Sequence, residues 1–436
     1  MSTMKPAGPN PSSDPFDFAD LPTEERINTF RSLDRETSEE RFSELSHTDQ
    51  VSVLRTSTDA ERKWLLRSLQ PDDTADVLQE ATPQESQTWL KLLDELHRRE
   101  IMALLAYAED AAGGLMNPRF STLRAEMGVD EALLYLRRRA REQRETTFYV
   151  YVLDAAQRLV GVVSLRSLLA APPGSSVGDV MATDVVSVPA DMDQEQVSRL
   201  FAKHDLLALP VVDADGHMKG IVTADDIVHV VNAEATEDFQ KMGGMEALDD
   251  PYLDAAFFQM VRKRAGWLSI LAVGEMLTAT AMSFYEDEIQ RVVVLATFVP
   301  LIISSGGNSG SQASTLVIRA MALGEVGFRD LFRVARREIT AGFCLGLVLA
   351  VIGYTRIWAW ELMFQSYGQI TGAVALSVAA SLLGVVMFGT LCGSMLPFLL
   401  KRLGADPASA SAPFVATLVD VSGLLIYFSV SSLLVL

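Results

Sequence analysis

After about residue 265 the chain carries five long apolar runs, at about 265–285, 292–323, 339–357, 374–400 and 413–436. At 1.5 Å rise per helical residue, such runs reach across a bilayer's hydrocarbon core of roughly 30 Å. Few folds accept them, because backbone groups inside a membrane must be satisfied within helices or a closed barrel. The last run, PFVATLVDVSGLLIYFSVSSLLVL, holds one carboxylate, Asp420. Pro413 suits a first helical position, where its missing N–H has no intrahelical partner to lose. Helical spacing puts Ala416, Thr417, Asp420, Gly423 and Tyr427 on or near one side, so the acid sits in a small, weakly polar stripe. A carboxylate near mid-membrane costs roughly 2.5–3.5 kcal/mol and needs a cation, a partner or water. An ion pathway is the preferred reading, over a structural acid bonded between helices or a protonated one facing lipid.

The second run is interrupted at 299–312 by VPLIISSGGNSGSQ. Glycine, serine and amides at this depth are expected as a break that lines a watery cavity, or else as small residues for tight packing. Gly306 and Gly307 offer bare backbone, while Asn308 and Gln312 each offer an amide oxygen to a hydrated cation. Arg262, Lys263 and Arg264 precede the first run. Five spans put Arg329, Arg333, Arg336, Arg337, Lys401 and Arg402 on that same side and leave only Arg291 and Arg356 opposite. The positive-inside rule then expects the part before the spans in the cytosol and the C-terminus outside.

The net charge of −19 and a mean hydropathy of +0.20 come from different halves, since nearly all the acid precedes Asp254. A negative surface repels nucleic acid and attracts cations. Cys344 and Cys392, both in apolar runs, exclude a disulfide framework or a thiolate zinc site. Residues 1–20 are expected as a disordered tail and not a signal peptide. Residues 21–108 read as short amphipathic helices in series, with starts at Pro71-Asp72-Asp73 and Thr82-Pro83, hence an all-α superhelical domain. Glu109–Met116, with Gly113-Gly114, is a joint between modules. The five histidines lack metal-ligand spacing, and neither a nucleophile elbow nor a P-loop is present, so an enzyme is not expected.

Residues 109–231 contain a repeat. VLDAAQRLVGVVSLRSLL (152–169) aligns without a gap on VVDADGHMKGIVTADDIV (211–228), each copy reading strand, Asp-containing turn, strand and helix start. These residues resemble a tandem pair of CBS domains, α/β regulatory modules that often bind adenine nucleotides. In that family a Gly-x-x-Ser/Thr-x-x-Asp run holds the ribose and phosphates. Gly220, Thr223 and Asp226 match it, which implies ATP as a ligand of the pair; the first copy has Gly161 and Ser164 but Ser167 in place of the acid. Residues 232–263 read as a connecting (plug) helix. Acids are dense between these modules, and facing carboxylates repel unless a hard divalent cation bridges them. Asp205, Asp213, Asp225, Asp226, Glu234, Glu237, Asp238 and Asp249 are the expected regulatory metal ligands.

GGNSGSQASTLVIRA together with KRLGADPASASAPFVATLVDVSGLLIYFSV resembles the two membrane signatures of the MgtE family of magnesium channels. EDAAGGLM, the CBS repeat and AEATEDFQKMG resemble that family's joint, regulatory and connecting-helix segments. The resemblance implies a homodimer in the cell (inner) membrane, a five-span α-helical channel domain over 264–436 and a pore on the two-fold axis lined by the second and fifth helices. Asp420 would bind the ion, with Ala416, Thr417, Gly423, Gly306, Gly307, Asn308 and Gln312 around it. The chain departs at Ala412, where relatives carry an amide. Magnesium gives up its waters reluctantly, so carboxylates that hold the hydrated ion weakly suit rapid passage. Gating by cytosolic Mg2+ bound between acidic surfaces follows from the same charges. Two alternatives are a secondary Mg2+ transporter coupled to Na+ or H+, and a membrane-anchored nucleotide or metal sensor.

Overall fold

The computed structural model describes residues 29–435, apart from 32, 143–148, 249–251 and 253–254. The expected tail at 1–20, and Asp249 among the expected metal ligands, therefore lie outside the described residues. The chain divides into two units, Met1–Val231 and Asn232–Leu436.

Among the described residues the first unit opens with six short helices: α1 Arg35–Ser43, α2 His47–Thr56, α3 Asp59–Ser68, α4 Pro71–Glu80, α5 Pro83–Leu90 and α6 Glu95–Leu104. Their starts are set by local chemistry. Thr58 and Thr82 each form a capping box with the glutamate three residues on, Glu61 and Glu85, which satisfies N–H groups that lack an intrahelical partner. Pro71 and Pro83 occupy first-turn positions of α4 and α5. Each helix buries one face: Phe42, Leu54, Leu65, Leu66, Leu78, Ile101 and Leu104 are all at most 2% exposed. Helices pack on their second neighbours (α1 on α3, α2 on α4, α4 on α6), the stacking expected of a superhelical array.

Next come α7 Ala112–Leu115, β1 Thr122–Leu123, α8 Val129–Glu142, β2 Tyr149–Leu153, β3 Leu159–Ser164 and α9 Leu165–Ala170. The second copy repeats them as α10 Val177–Val180, β4 Val188–Pro189, α11 Gln194–His204, β5 Ala208–Val212, β6 Met218–Thr223 and α12 Ala224–Met242. The two three-stranded sheets have the same topology, a short strand parallel to a hairpin, in the orders β1-β2-β3 and β4-β5-β6. The copies exchange their leading segments. Asn117, just after α7, bridges Ile221 of β6, and Ala182, just after α10, bridges Val162 of β3. One glycine per copy makes room for this: a Cβ on Gly220 would lie 2.8 Å from the Asn117 oxygen, and one on Gly161 2.6 Å from the Met181 sulfur. The core of the helical array runs on into the second copy through Ala112, Met116, Val211, Val222 and Ile227. The first copy has its own core.

The second unit holds the five apolar helices long enough to cross a membrane. They are α13 Phe257–Phe284, α15 Val299–Ala322, α16 Leu331–Phe364, α17 Thr371–Arg402 and α18 Ala412–Leu434; a short α14, Glu286–Arg291, precedes α15. Two expectations are corrected here. The stretch 299–312 is not a break, because α15 runs through it unbroken after a 3-10 turn at Val293–Phe298. Pro300 lies in its first turn, where no hydrogen bond is lost, and its small residues are packing surface. A Cβ on Gly389 of α17 would meet the Gly306 oxygen at 2.4 Å, and one on Gly393 the Gly310 oxygen at 2.0 Å. Two pairs of glycines four residues apart thus let two backbones touch, as small residues do between membrane helices. Nor is 232–263 one connecting helix. The helix α12, begun at Ala224, ends at Met242, where Gly243-Gly244 follows with Gly244 at φ +75, and the next helix starts at Phe257.

The glycine contact is testable. Gly393→Val is expected to wedge α15 from α17 at a cost of about 3 kcal/mol or more, read as lost thermal stability in detergent. Gly372→Ala, where a Cβ meets nothing within 4 Å, is expected to leave stability unchanged or slightly raised.

Candidate functional site

The membrane unit is organised around α18. Ser411 caps its start by accepting from the Phe414 N–H at 3.4 Å. Ser311 and Ser314 of α15 donate to the Ala412 and Ala410 carbonyls at 3.0 and 2.8 Å, so the carbonyl of Ala412 is engaged by α15. Gly307 lies one residue past Gly306, about 100° around the helix, and faces α18. A Cβ there would sit 3.3 Å from the Ala416 Cβ and 3.8 Å from Oδ1 of Asp420. Asp420 is half-buried.

The structure sorts the residues expected around Asp420 into four groups. Ala416 and Gly307 stand beside it. Gly306 and Gly423 are buried against Val385 of α17, and Tyr427, with its hydroxyl donating to the Leu295 carbonyl at 2.8 Å, is buried too. Thr417 turns towards α13, where its Cγ2 lies 2.7 Å from the Cβ position of Gly274. Asn308 and Gln312 are exposed along one face of α15 with Ser304, whose hydroxyl Asn308 Nδ2 contacts at 3.3 Å. A polar stripe open on a single copy of a membrane helix is a surface for water or for a second copy. One acid was missed in the sequence: Glu275 of α13 lies within electrostatic reach of Asp420. It was legible as the only charge between Arg264 and Glu286.

In the first unit the expected metal ligands divide as sharply. Asp205 ends α11 in a left-handed conformation, φ 51. Asp213 shapes the β5–β6 turn by accepting from the Asp215 and His217 N–H groups at 3.0 and 2.8 Å. The Lys219 ammonium, 3.0 Å away, holds its carboxyl well below the usual range, with help from those N–H groups. Asp213, Asp215 and His217 do offer ligand atoms within 4.8 Å of one another, a grouping the sequence reading of the histidines passed over. Asp154 makes the same turn in the first copy, which marks the geometry as structural. Asp225 is exposed at the start of α12. Asp226 accepts from the Thr223 hydroxyl at 2.6 Å and from its N–H at 3.3 Å, an N-terminal cap. In the first copy the cap is reversed: the Ser164 hydroxyl accepts from the Ser167 N–H at 3.0 Å, and the two hydroxyls lie 2.8 Å apart. The residues expected to hold nucleotide, Gly220, Thr223 and Asp226, therefore also serve packing and capping.

Asp226 has a second set of neighbours, far away in sequence. The first turns of α4 bring Asp72, Asp73 and Asp76 within its field. Asp72 is 7% exposed, and burial with the charges of Asp73 and Asp226 pushes its carboxyl well above the usual range. Burial likewise raises Asp73, takes Asp76 to about 7 and takes Asp226 to about 6. Asn117 donates to Asp72 at 3.2 Å. Among the described residues no lysine or arginine pairs with these four acids; the nearby bases are His47, held neutral by burial, and His229. The sequence reading took Asp72 and Asp73 as helix-start acids and missed this role.

In the second unit, Glu234, Glu237 and Asp238 are half-buried on α12. Lys241 bonds Glu237 one turn earlier and reaches Asp406 at 2.6 Å, so Glu237 already has a cation.

Known proteins align with this architecture. A family described as divalent cation transporter matches 299–430, the MgtE intracellular N domain matches 17–110, and CBS domains match 112–174 and 177–233. The magnesium transporter MgtE of Thermus thermophilus is 43% identical over 83% of this chain and 79% of its own length. That of Bacillus subtilis is 31% identical over 96% and 90%. A crystal structure of the cytosolic domain of the Mg2+ channel MgtE in complex with ATP is 36% identical over 49% of this chain and 92% of that one, with a TM-score of 0.39. With a five-helix apolar unit behind a helical array and a CBS pair, and with identity sustained over most of its length, this chain belongs to the MgtE family.

Proposed function

We propose that this chain transports Mg2+ across the cell membrane as a homodimeric channel, with Asp420 binding the hydrated ion and cytosolic Mg2+ closing the path. The observation that carries the reading is a half-buried carboxylate within a membrane helix, beside bare backbone at Gly307 and, among the described residues, without a protein cation. Relatives named magnesium transporters supply the ion. Magnesium holds its octahedral water shell tightly, and a carboxylate can bind such an ion through that water. The polar face of Ser304, Asn308 and Gln312 suits the wall of a path shared by two copies. The N-terminal and CBS modules are assigned to the cytosol and the C-terminus to the outside, from the basic residues at the spans' ends.

For regulation, the acids of α4 with Asp226 are the ligands we favour in the first unit. Four carboxylates brought together by folding, with burial raising each, are unfavourable when ionised, and a divalent cation reverses that sign. ATP at the CBS pair is part of the same proposal, at Gly220, Thr223 and Asp226.

Asp420→Ala in proteoliposomes is expected to cut Mg2+ flux about tenfold or more, as loss of a charge-assisted contact of roughly 1.5–3 kcal/mol would. Flux equal to the parent's overturns the assignment. Single-channel current separates channel from carrier, since a carrier gives none.

The acid cluster predicts a pH dependence. Folded-state values of about 7 for Asp76 and about 6 for Asp226 exceed the ordinary carboxylate value. Their contribution to stability is therefore full at acid pH and is lost as pH rises through that window. Without Mg2+ the melting temperature should fall across it, and millimolar Mg2+ should restore it most at the alkaline end. Asp76→Asn with Asp226→Asn should flatten the fall and remove most of the Mg2+ increment.

A further inference from the structure

The intramembrane acid that the family signatures leave out is Glu275. It stands eleven residues from Arg264 and eleven from Glu286, about 16 Å along the helix from either. That is the middle of the hydrocarbon core, where a lone carboxylate costs roughly 2.5–3.5 kcal/mol. Such a residue calls for a partner. The packing of α13 along α18 indicates which one. Trp267 meets Phe414 with ring centroids 6.2 Å apart, Gly274 meets Thr417, and Tyr285 stacks on Phe428 at 4.9 Å. The two helices run the same way, and Gly274 lets them close at the level just before Asp420. Glu275, next along and exposed on α13, is the charged group whose field reaches Asp420, and no lysine, arginine or histidine does so among the described residues. Thr278 is a further mark. It lies one turn beyond Gly274 on the face turned to α18, is 6% exposed, and its hydroxyl has no hydrogen-bond partner. The register that pairs Gly274 with Thr417 carries Thr278 to the level of Asp420.

We infer that Glu275 is the second carboxylate of the Asp420 ion site, so that α13 and α18 together hold a hydrated divalent cation, with the Thr278 hydroxyl facing its water shell. The inference rests on the reading of Asp420 given above. Each copy's Glu275 adds a carboxylate to that of Asp420, and the denser negative charge favours a dication over Na+ or K+, so Glu275 sets affinity and charge selectivity and leaves Asp420 as the obligatory ligand. Both carboxylates accept hydrogen bonds from coordinated water, which needs no stripping of the shell.

The test uses the full-length protein in liposomes, as the parent, Glu275→Gln, Asp420→Ala and Leu277→Gln. Leu277 is exposed on the other side of α13 and controls for a polar group placed in the span. Mg2+ flux, the Mg2+-to-Na+ flux ratio, and block by hexaamminecobalt(III), a trication whose fixed shell mimics hydrated magnesium, are measured. Glu275→Gln is expected to fold, to keep carrying Mg2+, and to raise both the half-saturating Mg2+ and the blocking concentration about tenfold, the scale of one lost contact to a charged group. Its Mg2+-to-Na+ ratio should fall, and Glu275→Asp should recover part of the block. If Glu275→Gln matches the parent in block and selectivity, or Leu277→Gln shifts them equally, Glu275 faces lipid and the inference is wrong. Should Asp420→Ala still carry Mg2+ normally, the reading of Asp420 fails instead. Should Glu275→Gln fail to fold, unaltered block in Glu275→Asp and in Thr278→Val overturns the inference.

Discussion

A carboxylate held in hydrocarbon without a counter-charge is the constraint around which the membrane unit is arranged. Asp420 is tolerable only if something positive or wet reaches it, and the helix packing decides which groups stand beside it. Glycines at 306 and 310 of α15 and at 389 and 393 of α17 put two backbones in contact. That contact fixes the rotation of α15, and the rotation turns Gly307 towards Asp420 while Asn308 and Gln312 emerge on the open face. A side chain at 393 would separate α15 from α17, and with them the relation between Gly307 and the acid. Stability and site geometry therefore share the same residues here.

The first unit meets a related constraint by another route. Its two CBS copies exchange leading segments, Asn117 onto β6 and Ala182 onto β3. This swap carries the helical array onto the second copy, since α7 follows directly from the array. The acids of α4 are thereby delivered to Asp226, about 150 residues further along the chain. Burial opposes their ionisation, so the unit is more stable when they are neutral.

Much of this was legible in the sequence, and the failures have identifiable causes. Spans and the strand–turn–strand repeat are local signals, carried by hydropathy and by alternation, and both appear where expected. The stretch 299–312 admitted two readings, a break lining a watery cavity or small residues for tight packing, and its composition alone does not choose between them. Between membrane helices the same composition is a contact surface. The end of α12 was marked by Gly243-Gly244 and overlooked in favour of a longer helical pattern. Asp72 and Asp73 look like ordinary acids at a helix start, and nothing within a sequence window shows that Asp226 will face them. Glu275 needed no structure to be seen, yet its relation to Asp420 depends on Gly274 touching Thr417, which no periodicity contains.

Two kinds of acid stand apart in this chain, and the division bears on which of them a metal would meet without a competitor. Asp213 has Lys219, and Glu237 and Asp406 share Lys241. In these places the protein provides its own cation, fixed in position and independent of solution conditions. Asp72, Asp76 and Asp226 in one unit, and Asp420 with Glu275 in the other, have no such lysine or arginine among the described residues. A metal competing for an acid of the first class must displace an ammonium already at 2.6 or 3.0 Å. At the second class it relieves repulsion or burial that folding has imposed. Abundance of carboxylate is a poor guide to a binding site for this reason. The informative residues are the acids that folding gathers together and leaves without a cation of their own.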